Sequence, residues 1–278
     1  MIKGAVASKR TKEIIKSTSG GKFSDKYEEL YEQASIFEQQ TDEEEIMFFA
    51  DLVSSTRQLN ILDLGCAEGK LAVALALKGH KVTASDISQN FLERALDTAQ
   101  RNSVEIGAVR CDIEENDAAY RFWGESFDVI YFMNVIEHLR NPIRALENIR
   151  ELLNSEGILF IHTPNVFTLN RIARYFLKRK KLMNYYAPQN LADIHLQKYD
   201  YLTIEQTLNF AGLRVRRMIP TKLTLPKKSV SSKWLARRFP FLSDTLLLEC
   251  IRAKPIDMSC QILFWSSASE ANKAISAR

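Results

Sequence analysis

An apolar run that breaks into a glycine-bounded turn and then into a helix-forming stretch, Ile61-Leu-Asp-Leu-Gly-Cys-Ala-Glu-Gly69, constrains this chain more than any other feature. Glycines at 65 and 69 let the backbone turn tightly and approach a ligand at the N-terminus of the following helix. A dinucleotide turn would read G-x-G-x-x-G, and position 67 is Ala. Asp63 and Glu68 place carboxylates where a pyrophosphate would be repelled. The turn therefore suits a ligand with an ammonium or other cationic end. A plain strand-to-helix turn would use the same glycines.

The rest of the chain repeats this strand–helix alternation. Strands are expected at Asn60–Leu64, Lys81–Ser85, Glu105–Arg110, Phe127–Phe132, Gly157–His162, Leu213–Ile219 and Thr245–Ile251. Helices are expected at Lys70–Leu77, Gln89–Arg101, Pro142–Leu153 and Ile204–Ala211. Apolar strands alternating with amphipathic helices imply a doubly wound, Rossmann-like α/β sheet of seven strands, mostly parallel and covered on both faces. No helix is evident between the last two strands, which implies an antiparallel edge. Residues 1–22, rich in Lys, Ser and Gly, read as a flexible leader. Helical spacing of Tyr27, Leu30, Tyr31, Ile36 and Phe37, then Ile46, Phe49 and Leu52, predicts an N-terminal helical cover. One domain is expected over 23–254, with basic cap insertions at about 167–187 and 221–243 and a tail over 255–278.

Acidic residues recur where strands end. Asp86 closes Val82-Thr-Ala-Ser-Asp-Ile-Ser88, 17 residues after Gly69. In the nucleotide-binding α/β plan an acid there accepts hydrogen bonds from the ribose hydroxyls; a helix cap is the plainer role. Asp112, in Val109-Arg-Cys-Asp-Ile113, can accept from an exocyclic amine of adenine, with Ile87 and Ile113 sandwiching the ring, or can serve only its loop.

Taken together with Phe127-Asp-Val-Ile-Tyr-Phe-Met-Asn-Val-Ile-Glu-His-Leu139 and Ile158-Leu-Phe-Ile-His-Thr-Pro-Asn165, these pieces resemble the class I S-adenosylmethionine-dependent methyltransferases over about residues 25–254. The fourth motif and the Thr-Pro-Asn ending are most similar to the ubiquinone-biosynthesis O-methyltransferase-like subgroup. The resemblance implies S-adenosylmethionine as cofactor. It assigns Asp63, Gly65, Cys66, Ala67 and Gly69 to the methionyl end, Asp86 to the ribose, Asp112 with Ile87 and Ile113 to adenine, and Met133 and Asn134 to the cofactor beside strand four.

His138 is the catalytic candidate, with Glu137 as partner. A sulfonium methyl is its own electrophile, so the protein mainly aligns an in-line attack. A hydroxyl acceptor must also lose a proton, for which an imidazole is suited. If the chain turns helical after strand four, residues 134, 137 and 138 share a face. Some relatives hold a divalent metal through Glu-x-x-Glu-His. Here Asn134 takes the first position, a weaker ligand for a hard cation, so no metal is expected. Glu137 and His138 can also simply shape the loop. His162 reads first as a structural histidine, whereas His195 is a candidate for the acceptor side.

Charge divides the molecule. Residues 1–165 carry 18 basic and 27 acidic groups, whereas 166–240 carry 16 and 3, net +13. The basic part follows strand five, where an open α/β sheet builds its ligand crevice. Leu169, Ile172, Tyr175 and Phe176 share a helical face flanked by Arg171, Arg174 and Lys178. Such a segment serves as a lid, receives a phosphorylated, acidic, lipid-linked or glycan-linked acceptor, or makes peripheral contact with an anionic membrane. Nucleic acid is a poorer partner, because no recognition module is legible. No run approaches the roughly 18–20 apolar residues of a membrane span. The start carries no apolar signal core, and Cys66, Cys111, Cys250 and Cys260 show no metal-binding spacing. A cytoplasmic protein with reduced thiols is expected. Two other functions fit the sheet: a nicotinamide-dependent oxidoreductase, and a non-catalytic protein that binds S-adenosylmethionine.

Overall fold

Strand β1 (Asn60–Leu64) puts Ile61 on one face of its sheet and Leu62 on the other, and both are fully buried. A strand apolar on both sides must be central and covered twice. The computed structural model describes residues 43–178, apart from 117 and 123, and then 195–225 and 232–253. The expected leader, most of the helical cover, parts of both insertions, Cys260 and the tail lie outside the described residues.

The elements follow in order: α1 (Glu43–Ala50), β1, α2 (Lys70–Leu77), β2 (Lys81–Asp86), α3 (Gln89–Arg101), β3 (Gly107–Arg110), β4 (Phe127–Met133), α4 (Pro142–Leu152), β5 (Leu153–Pro164), α5 (Leu169–Lys178), α6 (Tyr201–Phe210), β6 (Leu213–Ile219), α7 (Lys233–Arg238) and β7 (Thr245–Arg252). They form one seven-stranded sheet in the order β3-β2-β1-β4-β5-β7-β6. Strands β1 to β5 pair in parallel, while β7 runs antiparallel to both β5 and β6. The antiparallel pairing stands at the side of the sheet where the sequence implied it, with β7 one strand in from the edge.

The period-2 alternation of the strands divides the core. Ile61, Val129, Tyr131 and Phe160 pack beneath α1, α2 and α3. Leu62, Ile130, Phe132, Leu159 and Ile161 pack on the other face with α4 and α6. Three elements begin at other residues than the sequence reading gives, and several ends shift by one or two residues. The fifth strand begins four residues early, because Leu153 pairs with Phe127 across an irregular register. Helix α6 begins at Tyr201 because Asp200 and Thr203 form a reciprocal capping box. The third strand begins at Gly107, which pairs with Thr83.

The order reverses between β1 and β4, and a crevice opens outside their carboxyl ends. The glycine turn lies there with three residues in the left-handed region, Gly65 (φ 79°), Ala67 (φ 46°) and Gly69 (φ 72°). A Cβ on Gly69 would stand 2.6 Å from Ala95 Cβ and 2.9 Å from its Cα. The absence of a side chain thus lets α2 pack on α3. Gly69→Ala is expected to destabilise by about 2–4 kcal/mol, combining left-handed strain with overpacking. Ala67→Gly should be neutral or stabilising by up to about 1 kcal/mol, as relieved strain offsets added unfolded-chain entropy. Urea unfolding checks both, with the midpoint moving and the slope unchanged.

Candidate functional site

The carboxyl ends of β1 to β4 and the turns that follow them enclose a cavity of about 280 Å³. Eleven of the residues singled out from sequence line it: Asp63, Gly65, Cys66, Ala67, Asp86, Ile87, Asp112, Ile113, Met133, Asn134 and His138. Gly69 and Glu137 do not. Gly69 serves helix packing instead, and Glu137 turns away toward β5. The sequence reading missed several contributors. Ile46 and Phe49 of α1 line the cavity, and the Tyr131 hydroxyl ties this helix down by donating to the Phe49 carbonyl at 3.0 Å. Leu71 and Phe91 close the apolar floor.

Asp86 does not cap α3. Ser88 does, its Oγ accepting from the Phe91 N–H. The Asp86 carboxylate instead accepts from the Ala67 N–H (3.0 Å) and the Ser88 N–H (2.9 Å). It therefore clamps the glycine turn to β2. The Gly65 and Cys66 N–H groups reinforce the clamp by donating to the Ser85 carbonyl. Asp112 Oδ1 accepts from the Glu114 N–H at 3.0 Å, and Ile87 and Ile113 reach the same end of the cavity.

Asp63 is 3% exposed, and its Oδ2 is buried without a hydrogen-bond partner. Burial pushes its carboxyl up to about 7. The Ala72 amide works against this shift, while the Asp86 charge adds to it. An orphaned carboxylate oxygen in a ligand-sized cavity is the group a cationic ligand end would satisfy, so the site fits the ammonium of a methionyl moiety. Burial and the same two carboxylates push the Cys66 thiol well up, so it stays protonated.

The chain leaving β4 is not α-helical, so the expected shared face of 134, 137 and 138 does not form. Asn134 takes a left-handed conformation (φ 55°), and Ile136–His138 makes one 3₁₀ turn. His138 faces the cavity. Buried Glu137 accepts from Thr163 Oγ1 at 2.9 Å, and its carbonyl accepts from the Gln197 N–H at 2.8 Å. That bond draws in the segment after the basic insertion, placing the His195 ring 4.8 Å from that of His138. Ligand atoms of Glu137, His138 and His195 all lie within 4.8 Å of one another. The expectation of no metal rested on Asn134, and His195 is the contributor that sequence spacing could not supply.

Asp63 ionises near 4 when unfolded and near 7 when folded, so between those values the folded state holds more protons. Its contribution to stability therefore falls as pH rises from about 4 to about 7. Asp63→Asn should raise the melting temperature at pH 8 and approach the wild-type value near pH 4. An equal or lower melting temperature at pH 8 would contradict the burial argument.

The family model described as a methyltransferase domain matches residues 28–217. The ubiquinone biosynthesis O-methyltransferase of Rickettsia prowazekii is 37% identical over 110 residues, covering 39% of this chain and 41% of that protein. Its counterpart in Actinobacillus pleuropneumoniae is 35% identical over 108 residues, covering 38% and 45%. The match thus spans less than half the length of these relatives. Among solved structures, magnesium protoporphyrin IX methyltransferase from Synechocystis, with bound S-adenosylhomocysteine, superposes with TM-score 0.50 at 17% identity, over 88% of this chain and 94% of that one. Mitomycin 7-O-methyltransferase superposes with TM-score 0.54 at 15% identity, over 76% and 54%. At these identities the superpositions speak for the fold, whereas the family match covers most of the chain: it belongs to the methyltransferase-domain family.

Proposed function

We propose that this protein transfers the methyl group of S-adenosylmethionine to an oxygen of a small-molecule, lipid-linked or glycan-linked acceptor. The observation that carries the reading is the buried, unpartnered carboxylate oxygen of Asp63, a residue lining the cavity that Asp86 and Asp112 also line. Asp63 and the turn from Gly65 to Ala67 would take the methionyl end, Asp86 the ribose, and Asp112 with Ile87 and Ile113 the adenine. The bound cofactor supplies an electrophilic methyl on a sulfonium. His138, at the cavity wall, takes the acceptor's proton, and Glu137 holds the turn that carries it. A nicotinamide cofactor fits poorly, since Asp63 and Glu68 would face its pyrophosphate and position 67 is Ala rather than Gly.

Calorimetry should show S-adenosylhomocysteine binding and no NADH binding. At pH 6 the binding should release protons, as Asp63 ionises against the ligand's ammonium. Binding of NADH alone would overturn the cofactor assignment. Radiolabelled methyl transfer into fractionated cell extract identifies the acceptor class, and cofactor affinity without transfer to any fraction would mark a non-catalytic binder. His138→Ala should lower turnover by about 10²–10⁴-fold; full turnover would remove His138 as base. A second reading rests on His195: with Glu137 and His138 it can hold a divalent cation beside the acceptor. Loss of turnover on chelation, restored by metal, would favour it over the simple base.

The same proposal places the basic part on the acceptor side, in peripheral contact with an anionic membrane reached from the cytoplasm. Phe167, Trp234 and Phe241 are exposed, with Trp234 at 72%, beside exposed Arg237 and Arg238. No helix among the described residues is long and apolar enough to cross a membrane. Aromatic side chains among cations suit the interface between headgroup and acyl chain. The protein should co-sediment with phosphatidylglycerol vesicles at low salt, but not with phosphatidylcholine vesicles. Replacing both arginines with Gln should weaken that binding about thirtyfold, at about 1 kcal/mol per charge. Equal partition into both vesicle types would remove the membrane from the proposal.

A further inference from the structure

Two neighbouring residues at the end of β5 grip the chain that leaves β4, one on each face of the sheet. Thr163 donates to Glu137, as described above. On the other face, His162 meets Asn134 twice. The Asn134 N–H donates to the His162 carbonyl at 2.8 Å, and His162 Nδ1–H donates to Asn134 Oδ1 at 2.9 Å. The His162 ring is 3% exposed, packs 5.0 Å from the Phe49 ring, and sets Nε2 at 3.9 Å from Glu45 Oε1. It does not line the cavity, whereas Asn134 does.

Asn134 adopts the left-handed conformation that residues with a side chain rarely take. Such a residue persists where its surroundings over-determine it. Here both its amide hydrogen and its side-chain oxygen are committed to one partner. The consequence reaches the cavity directly. The left-handed residue sends Val135 back over the glycine turn, where Val135 Cγ2 occupies the place a Gly65 Cβ would need. It also starts the 3₁₀ turn that carries Glu137 and His138. The bond from His162 fixes Oδ1 and so aims the two Nδ2 hydrogens, which Asn134 can offer to a carboxylate or hydroxyl oxygen of a ligand. Burial holds the His162 imidazole down to about 4, so it is neutral at ordinary pH and makes this contact without adding charge.

We propose that His162 is a positioning residue: its paired hydrogen bonds to Asn134 hold the left-handed turn that sets Asn134 and Val135 against the cofactor cavity. The proposal rests on the cofactor reading above. Its test is calorimetry of S-adenosylhomocysteine on the full chain. His162→Phe keeps the ring volume but loses the donor, and should weaken binding about tenfold, the loss of one good buried hydrogen bond. His162→Asn, whose amide hydrogens can stand near the position of Nδ1–H, should recover most of that loss. Asn134→Gly removes the side chain while accepting the left-handed backbone. In the Asn134→Gly background, His162→Phe should weaken binding no further, because the partner is gone. A merely structural histidine would weaken binding to the same extent in both backgrounds, and that result overturns the proposal, as does wild-type affinity in His162→Phe. If His162→Phe does not fold, His162→Asn decides: affinity within about threefold of wild type supports the proposal and a tenfold loss overturns it. Wild-type protein that fails to bind S-adenosylhomocysteine would instead remove the cofactor reading, and this proposal with it.

Discussion

The Asp86 carboxylate accepts from the Ala67 N–H with one oxygen and from the Ser88 N–H with the other, which fixes the glycine turn against the end of β2. The rest of the site depends on that clamp. It holds three successive alternate residues, 65, 67 and 69, in left-handed backbone, one of them with a side chain. It thereby lays Gly65 under Val135 and Gly69 on Ala95. It also keeps a second carboxylate close to Asp63, whose charge adds to the effect of burial. Asp63 responds by holding its proton toward neutral pH. A ligand that brings an ammonium satisfies the orphaned oxygen and offsets the repulsion at the same time. Under the proposed cofactor assignment, that unsatisfied acceptor would be the source of binding energy, which would reconcile a destabilising buried acid with a functional one.

Strand β5 arranges the other side. Within four residues, His162 holds Asn134, Thr163 holds Glu137, and Asn165 closes the junction beyond. Buried Asn165 donates through Nδ2 to the carbonyls of Phe167, Phe241 and Ser243, while its Oδ1 accepts from the Phe167 N–H. Its own carbonyl accepts from Arg171 Nη1. Both basic insertions are thus tied to the strand that positions the β4 turn. The alternation of β-strand side chains explains the division of labour, since 162 and 163 necessarily serve opposite faces.

Much of this was legible in the sequence because it is local. Helices Lys70–Leu77 and Gln89–Arg101 and strands Asn60–Leu64 and Leu213–Ile219 stand at the residues that periodicity and capping chemistry indicate. The cavity acids were found because each lies within two residues of a strand's carboxyl end, and in a parallel sheet those ends converge. Other features were hidden because they are long-range. Nothing near position 195 announces that it meets His138, because a bond from Gln197 to the Glu137 carbonyl brings it there. The Asn134–His162 pair spans 28 residues. The left-handed state of Asn134 replaced a helical face with a sharp turn, and helical spacing carries no sign of that. Asp86 read as a possible cap because an acid near a helix start usually is one; only the structure shows Ser88 filling that role.

The charge asymmetry gains a physical location from these contacts. Asp63, Glu68, Asp86, Asp112 and Glu114 line the cavity, and the basic part begins at Val166, immediately beyond Asn165. The two parts meet at the Ile136–His138 turn: His138 lines the acid-rich cavity, while the Glu137 carbonyl, one residue earlier, binds the returning basic segment at Gln197. On the proposed reading, an acceptor drawn in by positive charge would arrive beside the imidazole proposed to take its proton. The acidic cavity discourages the same anionic acceptor from entering the cofactor's place. On the proposed reading, opposite fields on the two sides of one short turn would sort two ligands by charge before any specific contact is made.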